Sequence, residues 1–328
     1  MKERDSNIEL IRIIAILFIL FEHIVVFTFN PVGFPINEPH LVDDSLLPYG
    51  LVSIFITGVN LFVLISGFFG IRLRMKKLLS LYLCLLFYSI ITTFGFSFLD
   101  IDVTIPRIVK MFLCFDEGWF MPNYIALMLL APIYNKHLES VNKRSLLSVL
   151  ICLTFVDVYQ GYMRGLLGNE NGFNVIHFTF LYYVGAFLSR YGIPFSRKRL
   201  IVIYLCSTLL IFTSTFIRDN GYFAYSYNSP WVIIGAVSLF EIIRGLKIEY
   251  RPSINALAKL AFPIFLTNPL LPSIINRYCS GDMCIISCIV FVYLLILAIV
   301  EKIRSRFDSR LTKIYCMVQL MDDKYIKV

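Results

Sequence analysis

The chain has 328 residues, of which 58% are hydrophobic and only 16% charged, with a formal net charge of +8. A soluble domain carries about 25% charged residues, so this composition excludes a soluble enzyme, a disordered regulator and a coiled coil, and leaves a polytopic α-helical membrane protein. The excess of Lys and Arg forms no basic stripe interleaved with aromatics, which argues against nucleic acid as a partner and for membrane topology.

Charges and turn residues divide the sequence into apolar runs at about 10–29, 49–70, 77–98, 119–135, 145–160, 174–190, 200–217, 229–245, 253–276 and 283–302. About 20 apolar residues cross a bilayer, so these runs predict an all-α fold of about ten transmembrane helices. The first run contains Glu22 and His23 and lacks a small-residue cleavage site after it, so it reads as a span rather than a cleavable signal. Residues 30–48 hold four prolines and no Lys or Arg, a loop composition. Residues 104–112 predict a short amphipathic helix on the outer face. The membrane domain is expected to cover 1–303, with a short charged tail, helical or disordered, over 304–328.

Basic residues fall almost entirely on one set of connections: Lys2 and Arg4; Arg72, Arg74, Lys76 and Lys77; Lys136, Lys143 and Arg144; Arg190, Arg197, Lys198 and Arg199; Arg244, Lys247 and Arg251; and the tail. The opposite connections hold only Arg107, Lys110, Arg164, Arg218 and Arg277. Lys and Arg collect on the cytoplasmic side, so both termini are expected there. The cysteines sit in apolar runs or apart from the histidines, and no metal-ligand spacing is present. Cys279 and Cys284 flank a short loop and could pair in an oxidising compartment.

Ionisable groups inside a span are costly and point to function. The first run carries Glu9, Arg12, Glu22 and His23. Eleven residues separate Arg12 from His23, which turns a helix by about 1100°, close to three full turns, over about 16 Å. Both side chains therefore share one stripe, Arg12 near the cytoplasmic interface and His23 near the bilayer middle. That layout suits a long ligand with an anionic end in the cytoplasm and a reactive end in the membrane. Arg grips phosphate through its planar fork, and neutral His is the usual general base near neutral pH. Glu22 lies about 100° round the helix from His23 and is expected to face another helix.

These residues resemble the acyltransferase family 3 membrane proteins, which acylate bacterial surface polysaccharides and related envelope glycans. The family's marker is a basic residue, ten intervening residues and a His in the first span, as in Arg12 to His23. The resemblance extends to SNIELIRIIAILFILFEHI at the start and to GVNLFVLISGFFGIRLRMKKLLSLYLCLLFYSI at 58–90. It also takes in GWFMPNYIALMLLAPIYNKHLE at 118–139 and VIHFTFLYYVGAFLSRYG at 175–192. It implies a multi-pass protein of a bacterial inner membrane with no bound cofactor, using acyl-CoA, commonly acetyl-CoA, as cytoplasmic donor. The implied acceptor is a hydroxyl of a glycan or lipid-linked saccharide. Membrane lipid and other polysaccharide-assembly proteins are the implied partners.

By the same resemblance His23 is the catalytic base and Arg12 its donor-contacting partner, with Arg72 and Arg74 holding CoA phosphates. Trp119, Asn123, Tyr124 and His177 are expected near the acceptor. Asp157, Glu241 and Lys259 read as partners in pairs between helices. Many members carry a second His late in the chain. Here AFPIFLTNPLLP (261–272) places Thr267 and Asn268 there, so that role is absent or passes to neutral polar groups. The alternative function is a polysaccharide exporter without acyl transfer, which would need no mid-membrane base aligned with a cytoplasmic Arg. A polysaccharide polymerase is disfavoured because the outer connections are short.

Overall fold

The computed structural model describes residues 5–31, 45–99, 104–105, 109, 118–217, 221–246, 248–279 and 283–325. All ten predicted runs lie on helices, and no strand occurs among the described residues. Most of the predicted outer segments 30–48 and 104–112, with Arg107 and Lys110, lies outside the described residues.

Helix α1 (Ser6–Phe29) starts on a cap: the Asp5 carboxylate accepts the Asn7 N–H at 3.0 Å. It ends where Asn30 turns into the left-handed region at φ 46°, a conformation Asn tolerates better than most residues. Helices α2 (Leu47–Phe55) and α3 (Gly58–Phe69) form one interrupted span of 23 residues. Then follow α4 (Met75–Phe98), α5 (Phe120–Ser140) and α6 (Lys143–Thr154). α6 loosens into a π-helical stretch, Phe155–Met163. Helices α7 (Val175–Tyr191), α8 (Arg197–Ser214) and α9 (Pro230–Arg244) complete the middle of the chain. Asn174 caps α7 by accepting the Ile176 N–H at 2.9 Å.

The run at 253–276 is not one straight helix. It divides into α10 (Pro252–Leu257), a 3₁₀ turn, α11 (Ala261–Thr267) and α12 (Leu270–Tyr278), with a bend of 69° between its two halves. The cause is local: Pro269 has no N–H to return to the carbonyl of Phe265, four residues back. The nearby carbonyl of Leu266 instead accepts the Thr92 hydroxyl of α4 at 3.3 Å.

Five helices among the described residues are long and apolar enough to cross a bilayer, and six if the bent pair counts as one. The runs on α5, α7, α8 and α9 fall short by length or composition; α7 and α9 have 17 and 15 residues.

Met1–Gly281 and Asp282–Val328 form two compact units. The second is the helix α13 (Met283–Tyr325), which runs unbroken into the predicted tail. Arg304 and Glu301 pair along it at 2.7 Å. In the first unit α1 is central, packed against α2, α3, α9, α10, α11 and α12. That explains why its sequence is apolar on nearly every face. Its N-terminal end is tied down by Asn7, which donates to the carbonyls of Arg244 and Leu246. Ser6 adds a bond, accepting the Arg251 N–H at 2.9 Å.

Candidate active site

The helical register of α1 puts Arg12, Ile19 and His23 on one stripe, as the sequence spacing requires. Arg12 is paired with Glu9 one turn earlier at 2.5 Å, and Glu9 is buried. The pair lowers the cost of holding a guanidinium on an apolar membrane helix. Ile19 lines an apolar cavity of about 260 Å³ together with Phe62, Lys77, Leu81, Phe120, Tyr124, Met128, Phe262 and Phe265. Tyr124 is anchored there by Ser66 of α3, oxygen to oxygen at 3.0 Å.

His23 lies one turn beyond Ile19. Its Nδ1 faces the Asn268 carboxamide nitrogen at 2.7 Å, and its ring meets Phe27 edge-on at 5.5 Å. Asn268 reaches this depth because it stands in the break between α11 and α12. The late polar position noted in the sequence is thus in direct contact with the predicted base.

Glu22 points elsewhere, as expected from its register. The Tyr227 hydroxyl donates to its two carboxyl oxygens at 3.3 and 3.4 Å. Burial first, then the charge of Glu22 beside it, pushes the Tyr227 phenol well above its ordinary range, so it stays a protonated donor. Trp119 stacks on Phe173 at 4.5 Å and leans on Tyr227 at 5.2 Å, so an aromatic cluster backs the phenol that holds Glu22. Asn123 fixes the stack by donating to the carbonyls of Trp119 and Phe173 at 2.6 and 2.9 Å.

His177 is fully buried, and both ring nitrogens are engaged inside the protein: Nδ1 with Asp157 at 2.8 Å and Nε2 with Asn60 at 3.0 Å. Asp157 also accepts from the Asn169 amide at 2.8 Å. Asn60 in turn donates to the Tyr227 carbonyl at 2.8 Å. A continuous polar chain therefore runs from the π-helical stretch through α7 and α3 to the Tyr227 that holds Glu22. Glu241 pairs with Arg244 of its own helix at 2.6 Å, and Lys259 is exposed.

After the end of α3, Arg72 lines a second, polar cavity of about 340 Å³ with Gly70, Asn135, Glu139, Ser189 and Arg190. The turn carrying Arg72 is held rigidly. Asn135 donates to the Ile71 carbonyl at 2.8 Å, and the Tyr182 hydroxyl accepts the Ile71 N–H at 2.9 Å while donating to Asn135 at 2.7 Å. Arg74 is exposed at the start of α4, outside that lining. The predicted residues thus divide among several places: the α1 stripe with the Tyr124 cavity, the Trp119–Asn123 stack, the buried His177 network and the Arg72 cavity.

Sequence reasoning missed Asn60, Tyr227 and Asn169. Asn60 had a usable signal, a lone amide within an apolar run. The others lie in polar loops, where such residues are ordinary.

The family model described as an acyltransferase domain, of the acyltransferase 3 type, matches residues 5–301. The chain belongs to acyltransferase family 3. It is a multi-pass membrane acyltransferase, transferring groups other than aminoacyl groups. The match takes in every side chain of the candidate site described above. No curated protein and no solved structure matches the chain.

Proposed function

We propose that this acyltransferase moves an acyl group, acetyl in the first instance, from cytoplasmic acyl-CoA to a hydroxyl of a cell-surface glycan or its lipid-linked precursor, in a bacterial inner membrane. In this reading the chain crosses about ten times, α5, α7, α8 and α9 included, with both termini in the cytoplasm. The observation that carries it is the α1 stripe. The Arg12 guanidinium and the His23 imidazole share one helix face, and an apolar cavity opens at Ile19 between them.

Arg12, with Arg72 and Arg74 at the cytoplasmic rim, takes the anionic part of the donor. The acyl-pantetheine arm follows the cavity toward His23. The acceptor hydroxyl gives its proton to the free ring nitrogen of His23 as its oxygen attacks the thioester carbonyl carbon. The carbon–sulfur bond then breaks, and the thiolate leaves with the proton held by His23. Ester and free thiol are the products, and no further reactant is needed. A positioned base contributes about 10²–10⁴-fold. Trp119, Asn123 and Tyr124 present the acceptor, since aromatic faces stack on sugars. His177 supports that side from behind, through Asn60 and Tyr227.

The test uses purified protein in nanodiscs with radiolabelled acetyl-CoA and an extract of lipid-linked glycans. Wild type is compared with His23→Ala at equal folded yield. Label moved to glycan by wild type and lost in His23→Ala is the expected result. Equal transfer by both removes His23 from the chemistry. No transfer by either, in an extract containing acetylated glycan, favours the exporter.

A further inference from the structure

A lone imidazole on a helix is a poor base, because its ring turns and its proton moves between nitrogens. A general base that accepts at Nε2 must carry its other proton on Nδ1, and a partner at Nδ1 decides whether it does. In this structure that partner is Asn268. It is fully buried, its carboxamide is 2.7 Å from Nδ1, and its Oδ1 has no hydrogen-bond partner among the described residues. Asn268 sits at the C-terminal end of α11, followed at once by Pro269, so the 69° break delivers its side chain against α1.

We propose that Asn268 is the positioning residue for His23, holding the ring through Nδ1 and leaving Nε2 as the nitrogen that meets the acceptor hydroxyl. This rests on the acyl-transfer reading above. A half-turn of the carboxamide about Cβ–Cγ exchanges Nδ2 for Oδ1 without moving the backbone. In the reacting state Oδ1 faces the ring, accepts Nδ1–H and gains the partner it otherwise lacks. The exchange leaves Nδ2 in place of Oδ1 as the atom without the ring, so the proton on Nδ1 decides between the two orientations. When Nε2 takes the proton, both ring nitrogens carry hydrogen, and the same Oδ1 holds the imidazolium in place.

Two variants separate this role from packing. Asn268→Leu keeps the branched outline of the side chain and removes the hydrogen bond. Asn268→Asp, when ionised, offers Nδ1 an acceptor and no donor. Both are made in the full chain, reconstituted in nanodiscs and matched to wild type for folded yield. Protein labelled with ¹⁵N-histidine reports the protonation of each ring nitrogen, and the His23 signals are assigned by their loss in His23→Ala. The expected outcome is Nδ1–H in Asn268→Asp and a His23 spectrum in Asn268→Leu that differs from wild type. In turnover, kcat of Asn268→Leu falls about 10- to 100-fold, the scale of a small misplacement of a reacting group, with the KM for acetyl-CoA within about twofold of wild type. Asn268→Asp keeps most of the rate.

Identical His23 spectra in wild type and Asn268→Leu overturn the proposal, as does an Asn268→Leu that turns over like wild type. Asn268→Asp as slow as Asn268→Leu also overturns it. If wild type transfers nothing, the acyl-transfer reading falls, while the histidine spectra still decide whether Asn268 holds the ring.

Discussion

Gly67 and Tyr182 touch backbone to backbone: a Cβ added at Gly67 would lie 2.1 Å from the Tyr182 carbonyl oxygen. The contact is mutual between α3 and α7, for a Cβ at Gly185 would lie 2.4 Å from the Leu64 carbonyl oxygen. Small residues let membrane helices approach this closely, and packing then replaces the hydrophobic effect that lipid does not supply. The Ser66-Gly67 step of α3 is therefore half packing and half site. Gly67 joins α3 to α7, while Ser66 beside it holds Tyr124.

Gly67→Ala must push α3 from α7, because the opposing atoms are backbone and cannot turn away. Overpacking typically costs about 1–3 kcal/mol, and this contact should fall at the upper end or beyond. Thermal denaturation in detergent is expected to show a large loss for Gly67→Ala. Gly50→Ala, with nothing within 4 Å of the new Cβ, should melt as wild type or slightly higher.

His177→Ala leaves the Asp157 carboxylate in a fully buried site without its imidazole partner. Removing one member of a buried pair costs about 3–5 kcal/mol. The expected result is poor folded yield and a lowered melting temperature. The acceptor KM of the surviving folded fraction should stay near wild type, because both nitrogens of His177 face protein. A raised acceptor KM at normal stability would instead place the ring in contact with substrate.

Tyr227→Phe removes the phenol that spans both oxygens of Glu22. An unsatisfied buried group costs about 1–3 kcal/mol, and replacing both partners by apolar groups is close to neutral. Tyr227→Phe is therefore expected to destabilise more than the double change Glu22→Leu with Tyr227→Phe. A double-mutant cycle read by thermal denaturation checks this. Additivity of the two changes would show that the pair does not interact.

Arg72→Ala is expected to weaken acetyl-CoA binding about tenfold, the equivalent of about 1.4 kcal/mol, and to flatten its dependence on salt. Arg74→Ala should matter less, since Arg72 lines the polar cavity with Arg190 and Arg74 does not. Equilibrium binding of labelled acetyl-CoA at two ionic strengths tests both. Equal effects of the two changes would point to diffuse surface charge rather than a lined site.

Periodicity is local, and what depended on it was legible. The apolar runs fixed where helices form, and the eleven-residue step placed Arg12 and His23 on one stripe before any tertiary contact was known. Glu22 was likewise sent to a different neighbour by its 100° offset. What needed distant segments to meet was not legible. The polar chain from Asp157 through His177 and Asn60 to Tyr227 joins four separate parts of the chain. Tyr227 sits in a loop whose composition says only that it is a loop. The 253–276 run read as one span although Pro269 stands inside it, because its apolarity is continuous. The sequence singled out position 268 but could not show that the break turns it onto His23.

The break also separates two duties that a continuous helix would combine. α11 and α12 supply packing, and each is held by its own neighbours: α4 through Thr92 and Leu266, and the end of α1 through Asn276 and the Phe27 carbonyl. The residue at the joint is relieved of carrying the helix. Its side chain can change without changing the fold, so the joint is a socket beside the base in which different chemical groups can be seated.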